Sequence, residues 1–159
     1  MNGLLTLLEN SFQVNHLYLR VPPRKIYDRE IPWGCDLKSV ESLVSVARKH
    51  DTTNHSLETG FMLELPNGSS MKILHAQLDD LPESRIDMND LSLIMKWSIN
   101  DIDVLFTDDL NIRVGALLSD DERMQSYFMK MPHHGRTGLA PNSFFDKVNL
   151  RYVLLPTPK

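Results

Sequence analysis

The chain has 159 residues, 17 Lys and Arg against 21 Asp and Glu, a formal net charge of -4, 42% apolar residues and one cysteine. One domain over residues 1–159 is expected at that length, with a globular composition that excludes wholesale disorder. The acidic balance excludes a broad electrostatic grip on nucleic acid, the lone Cys35 excludes a disulfide framework or a cysteine zinc cage, and no apolar run reaches the roughly 18 residues of a membrane span.

Leu4, Leu5, Leu7 and Leu8 fall on one side of a short helical turn ending near Glu9. Residues 14–19 read as a strand, with Leu17 and Leu19 alternating around Tyr18. Residues 21–35 hold Pro22, Pro23, Pro32 and Gly34 and are expected as a loop. Asp36 is placed to cap a helix over 36–50. Its apolar stripe is Leu37, Val40, Leu43, Val44 and Ala47, and Lys49 and His50 sit where the helix dipole favours cations. Residues 51–55 read as a polar linker. Phe61, Leu63 and Leu65 alternate, the run Pro66-Asn67-Gly68-Ser69 turns, and 71–75 resumes, which predicts a hairpin. Residues 77–90 are an acidic loop. A second hairpin spans 91–98 and 102–107, its second arm buried. A helix over 111–118, a strand over 127–131, a helix over 143–148 anchored by Phe144 and Phe145, and a strand over 151–155 complete the chain. Paired strands mixed with one-sided helices predict an α/β (α+β) layered fold.

Two residue pairs carry chemistry. Asp108 and Asp109 leave one apolar strand, and His133 and His134 leave another, behind Pro132 and before Gly135. A carboxylate at a strand end has a fixed backbone and suits a cation or a reacting water. Imidazole is a common metal ligand and general base. If the two strands are neighbours, their ends make an Asp/His cation site. The simpler reading makes Asp108 and Asp109 a solvated turn or cap ahead of Asn111, and the His pair a surface turn. His16 and His75 read as structural, Cys35 as inert, and Trp33 and Trp97 as packing residues. Arg20, Arg24 and Lys25 form a small basic cluster suited to phosphate, with Arg136 a further candidate, and a solvated loop is the simpler reading of the first three.

Three segments in order resemble the metallo-β-lactamase superfamily, in particular the hydrolase domain of the DNA-uptake protein ComEC and its stand-alone relatives. They are Asn89-Asp90-Leu91-Ser92-Leu93, Thr107-Asp108-Asp109 and Pro132-His133-His134-Gly135. The resemblance extends weakly from Gly3 to Leu155. It implies a partial αββα sandwich and a two-metal hydrolase using zinc or manganese on a phosphodiester substrate. It matches the bridging aspartate to Asp109 and the late histidine ligand to His134 or His133, with Asn89, Asp90 and Asp108 in supporting positions. His134 is favoured because Gly135 lets the backbone approach closely. Asp108 stands where the family has glycine, a position that serves an unusual backbone angle, and Asp tolerates positive φ better than most residues.

The family's principal metal motif, His-x-(His or Asp)-x-Asp-His, does not occur in the chain. The sequence therefore reads as a truncated domain, the part after that motif. A two-metal centre needs roughly six to eight ligand atoms, and this chain offers two or three. The expectation is a hydrolase-like chain inactive by itself, partnered by a complementing N-terminal chain or by copies of itself. The other expectation is a non-catalytic remnant serving as an interaction or oligomerisation module. No signal peptide and no membrane partner are read, and a cytoplasmic location is the default.

Overall fold

The computed structural model describes residues 2–10, 12–29, 37–76, 81, 83, 85–136 and 140–156. Its contacts fall into two compact units: Met1–Leu57 with Ser84–Ile86, and Glu58–Glu83 with Asp87–Lys159. Trp33, Cys35, Asp36 and much of the acidic stretch after residue 76 lie outside the described residues.

The first unit contains α1 (Asn2–Glu9), β1 (His16–Tyr18), α2 (Arg24–Tyr27), α3 (Leu37–Lys49) and β2 (Thr53–His55). Leu8 of α1, Leu17 of β1, and Leu43 and Ala47 of α3 form its core. The α3 stripe predicts this, since Leu43 and Ala47 lie one turn apart on one face. Two expectations are corrected here. Residues 51–55 are not only a linker: Thr53–His55 pair in parallel with His16–Tyr18. The buried Thr52 hydroxyl donates to the Val14 carbonyl at 2.7 Å and seats β2 beside β1. The proline-rich stretch also holds one helical turn, α2. Pro23, at φ -57°, precedes it, and the Asp28 amide closes it on the Arg24 carbonyl. Proline there forfeits no helical hydrogen bond, and its fixed φ suits the start of a turn.

The second unit is a six-stranded mixed sheet with two helices. Its strands are β3 (Met62–Glu64), β4 (Ser70–His75), β5 (Ile94–Ile99), β6 (Ile102–Phe106), β7 (Phe128–Lys130) and β8 (Tyr152–Leu154), in that spatial order. The steps from β3 to β6 are antiparallel and those from β6 to β8 are parallel. Each parallel step is spanned by a helix, α4 (Ile112–Leu118) and then α5 (Asn142–Val148), as parallel pairing requires. Both expected hairpins are present, and the layered α/β class holds.

The core sits between sheet and helices. Leu74, Ile94, Leu105 and Met129 come from consecutive strands, and Val114, Leu118, Phe144 and Val148 from the helices. Leu105 and Met129 are register partners and both are fully buried. Gly115 of α4 explains the close approach of the α5 segment: a Cβ there would stand 2.5 Å from Ala140 Cβ and 2.9 Å from its Cα. The expected burial of the second hairpin's later arm is only partial. Leu105 is inaccessible, but Ile102, beside the turn, is exposed. Strand β8 is the last in the sheet, and Tyr152, Val153 and Leu154 are all exposed. Among the described residues no helix is long and apolar enough to cross a membrane.

Candidate functional site

Strands β6 and β7 are parallel neighbours, with Phe106 opposite Lys130. Their C-terminal ends therefore open on the same edge of the sheet. The chain leaves β6 through Thr107, Asp108 and Asp109, and leaves β7 through Met131, Pro132, His133 and His134. This is the neighbour relation that an Asp/His site requires. The ladder continues past β6 through the buried Thr107 hydroxyl, which donates to the Lys130 carbonyl at 2.7 Å.

Both turns use left-handed backbone. Asp108 has φ 49°, His133 φ 47°, His134 φ 54° and Gly135 φ 77°. For non-glycine residues that conformation costs roughly 1–2 kcal/mol each. Asp108 thus adopts a positive φ, which glycine takes most readily and Asp tolerates better than most residues. The two turns are stitched together: the His133 amide donates to the Asp108 carbonyl at 3.3 Å. The Asp108 carboxylate in turn accepts from the Leu93 amide at 3.4 Å. Asp109 Oδ1 lies 3.6 Å from His134 Nε2. His133 Nδ1 is buried and has no hydrogen-bond partner among the described residues.

A further residue stands in the site that the motif pattern does not single out. Lys130 Nζ donates to the Asp108 carbonyl at 2.7 Å and lies 3.9 Å from Asp109 Oδ1. Its signal in the sequence is a charged residue at the end of an apolar strand, two positions from Phe128 and so on the same face. Lys130 supplies a fixed positive charge beside the carboxylate that would hold a cation.

The supporting residues divide. Asp108 belongs to the stitched turns. Asn89 and Asp90 belong to a 3-10 turn over Met88–Leu91, where Asp87 and Asp90 form a reciprocal cap. The buried Asp90 carboxylate accepts from Asn111 Nδ2 and Arg113 Nε, both at 2.8 Å, and from the Asp87 amide at 3.2 Å. Those bonds tie the 3-10 turn to the start of α4. Asn111 caps that helix itself, its side chain accepting from the Val114 amide. The cap ahead of α4 is therefore Asn111, not the Asp pair. His75 is buried at the end of β4, matching the packed reading. Trp97 is half-buried in β5. In the first unit Arg20 donates to the Leu57 carbonyl, while Arg24 and Lys25 are exposed on α2. Arg136 is exposed in the second unit.

The donor set is the test of a metal centre. Asp109 and His134 are the two donors within reach of one another, and Lys130 already stands beside Asp109. Among the described residues no three His, Cys, Asp or Glu side chains are grouped around one point where they could hold an ion together. These residues do not fit a two-metal centre, whose ions each need about four ligands.

No protein family matches the chain, and no curated protein sequence is significantly similar to it.

Proposed function

We propose that the second unit is a metallo-β-lactamase-type hydrolase module, of the class acting on phosphodiesters, that is catalytically silent as this chain stands. Support comes from the three matching segments together with one observation. The turns after β6 and β7 are parallel neighbours held in left-handed backbone, with Asp109 and His134 3.6 Å apart. Strain at such positions is kept where the surrounding structure holds it for a purpose. The silent reading rests on the donor count: a carboxylate and an imidazole, with an ammonium beside them, hold at most one weakly bound zinc or manganese ion.

The test is hydrolysis of a simple phosphodiester, bis(p-nitrophenyl) phosphate, by the purified chain supplied with manganese or zinc. The rate should equal that of an Asp109→Ala/His134→Ala double variant. Metal-dependent turnover lost in the double variant would overturn the silent reading.

A second reading has its own observation. The edge strand β8 exposes three consecutive uncharged residues, Tyr152, Val153 and Leu154. An unpaired edge with no charged side chain is a ready partner for another strand. Its occupant in this reading is a second copy of the chain, whose own β8 meets it without like-charge contact.

A further inference from the structure

The first unit carries a cluster that neither the motifs nor the proposed function uses. Parallel pairing sets His16 opposite Thr53 and Tyr18 opposite His55. Residues two apart on a strand share a face, so His16, Tyr18 and His55 gather on one side of the two-stranded ribbon. Leu17 points the other way, into the core with Leu8, Leu43 and Ala47. The His16 and His55 rings lie 5.1 Å apart, with His16 Nδ1 and His55 Nε2 3.1 Å from each other. Tyr18 stacks on His55 at 4.6 Å and 17°, which holds that imidazole in its plane. His16 is exposed and His55 half-buried, so the pair is open to solvent.

We propose that His16 and His55 form a two-imidazole chelate for a divalent transition-metal ion, with copper(II) the preferred occupant. The argument is geometric. Metal to imidazole-nitrogen bonds are about 2.0–2.1 Å. Two such bonds to nitrogens 3.1 Å apart subtend about 100° at the metal. That falls between the cis angle of a square-planar ion, about 90°, and the tetrahedral angle, about 109°. The ligand atoms are thus already spaced for one ion. The proton now shared between the facing nitrogens moves to the far nitrogen of its own ring, so both facing atoms present lone pairs. No redox change and no outside reactant is needed. A modest turn of the exposed His16 ring, which gives up its hydrogen bond to His55, aims both lone pairs at one point.

The chemistry also selects the ion. Imidazole suits copper, zinc and nickel, and for a given nitrogen site affinity peaks at copper(II). Oxygen-preferring manganese, calcium and magnesium should bind poorly. Water fills the remaining positions. This site stands apart in sequence from Asp109 and His134 and does not depend on the hydrolase reading.

The experiment is copper(II) titration of the full chain, followed by electron paramagnetic resonance and by imidazole nitrogen NMR. One ion per chain with two nitrogen ligands is expected, and zinc should compete for it. His16→Ala and His55→Ala should each weaken binding at least tenfold, since losing even an outer-sphere partner costs roughly 10–100-fold. His50→Ala, an exposed histidine at the end of α3, should leave binding unchanged, as should Asp109→Ala/His134→Ala. In the wild-type chain the His16 and His55 resonances should broaden first, which reads the site without any substitution. Equal copper affinity in the wild type, His16→Ala and His55→Ala would overturn the proposal. So would first broadening at other histidines.

Discussion

His134 is held at φ 54° with half of its side chain exposed, and Asp109 lies beside its imidazole. Glycine adopts that backbone without the Cβ penalty. His134→Gly should therefore stabilise the chain by about 1 kcal/mol in urea denaturation, while abolishing any cation affinity at Asp109. A destabilised variant would mean that the imidazole makes a packing contribution larger than the strain it bears. Lys130 poses the opposite question. Its ammonium lies 3.9 Å from Asp109 Oδ1 and repels a second cation there. For a divalent ion at about that distance the repulsion is about 2 kcal/mol in a water-like medium. Lys130→Met should tighten manganese binding roughly thirtyfold in equilibrium dialysis. Unchanged binding would place the cation elsewhere than Asp109.

At the scale of elements, the turn between α4 and β7 holds the clearest titrating pair. Asp121 caps the 3-10 turn Glu122–Met124, and its carboxylate forks onto the Arg123 guanidinium. Arg123 holds the Asp121 carboxyl below the ordinary carboxylate range. A carboxylate with a lowered folded pKa contributes stability above its unfolded value and loses it as pH falls through the folded one. Arg123 is half exposed, so the contribution is small, about 0.5–1 kcal/mol. Asp121→Asn keeps a capping oxygen but loses the charge. It should be less stable by that amount from neutral pH down to about pH 4, with the gap closing below. A gap independent of pH would assign the effect to the cap rather than the ion pair.

Most elements were legible because their apolar residues repeat with a clear period. The α3 stripe, the Leu105 and Met129 strands and the Phe144 anchor are of this kind. The elements that escaped were short and polar. Strand β2 reads Thr-Asn-His and buries no apolar face, so nothing in its period separates it from a linker. The α2 turn is hidden among prolines. At the site, the strand-exit residues Asp108, Asp109, His133 and His134 were legible from position alone. The direction of Asp90 was not, because its partners Asn111 and Arg113 lie more than 20 residues away and no local pattern reports such a bond. Lys130 escaped because a strand-end lysine looks like an ordinary solvated charge.

In the second unit a well-filled core is flanked by two sheet edges among the described residues, β3, which carries Glu64, and β8, which carries no charge. The sheet stops at β8 with Tyr152, Val153 and Leu154 exposed, and Leu155 after them. Native sheets commonly protect such edges with lysine. Val153→Lys should lower self-association in sedimentation velocity at high protein concentration while leaving the far-ultraviolet circular dichroism unchanged. Equal association of the variant and the wild type would remove β8 from the interface. The candidate site, however, lies at the edge where β6 and β7 end. Manganese stoichiometry of the purified chain at saturation, beside the Asp109→Ala/His134→Ala variant, decides whether that site is silent. At most one weakly held ion per chain, absent from the variant, is the predicted result. Two tightly held ions per chain, or manganese bound equally by both proteins, would contradict it.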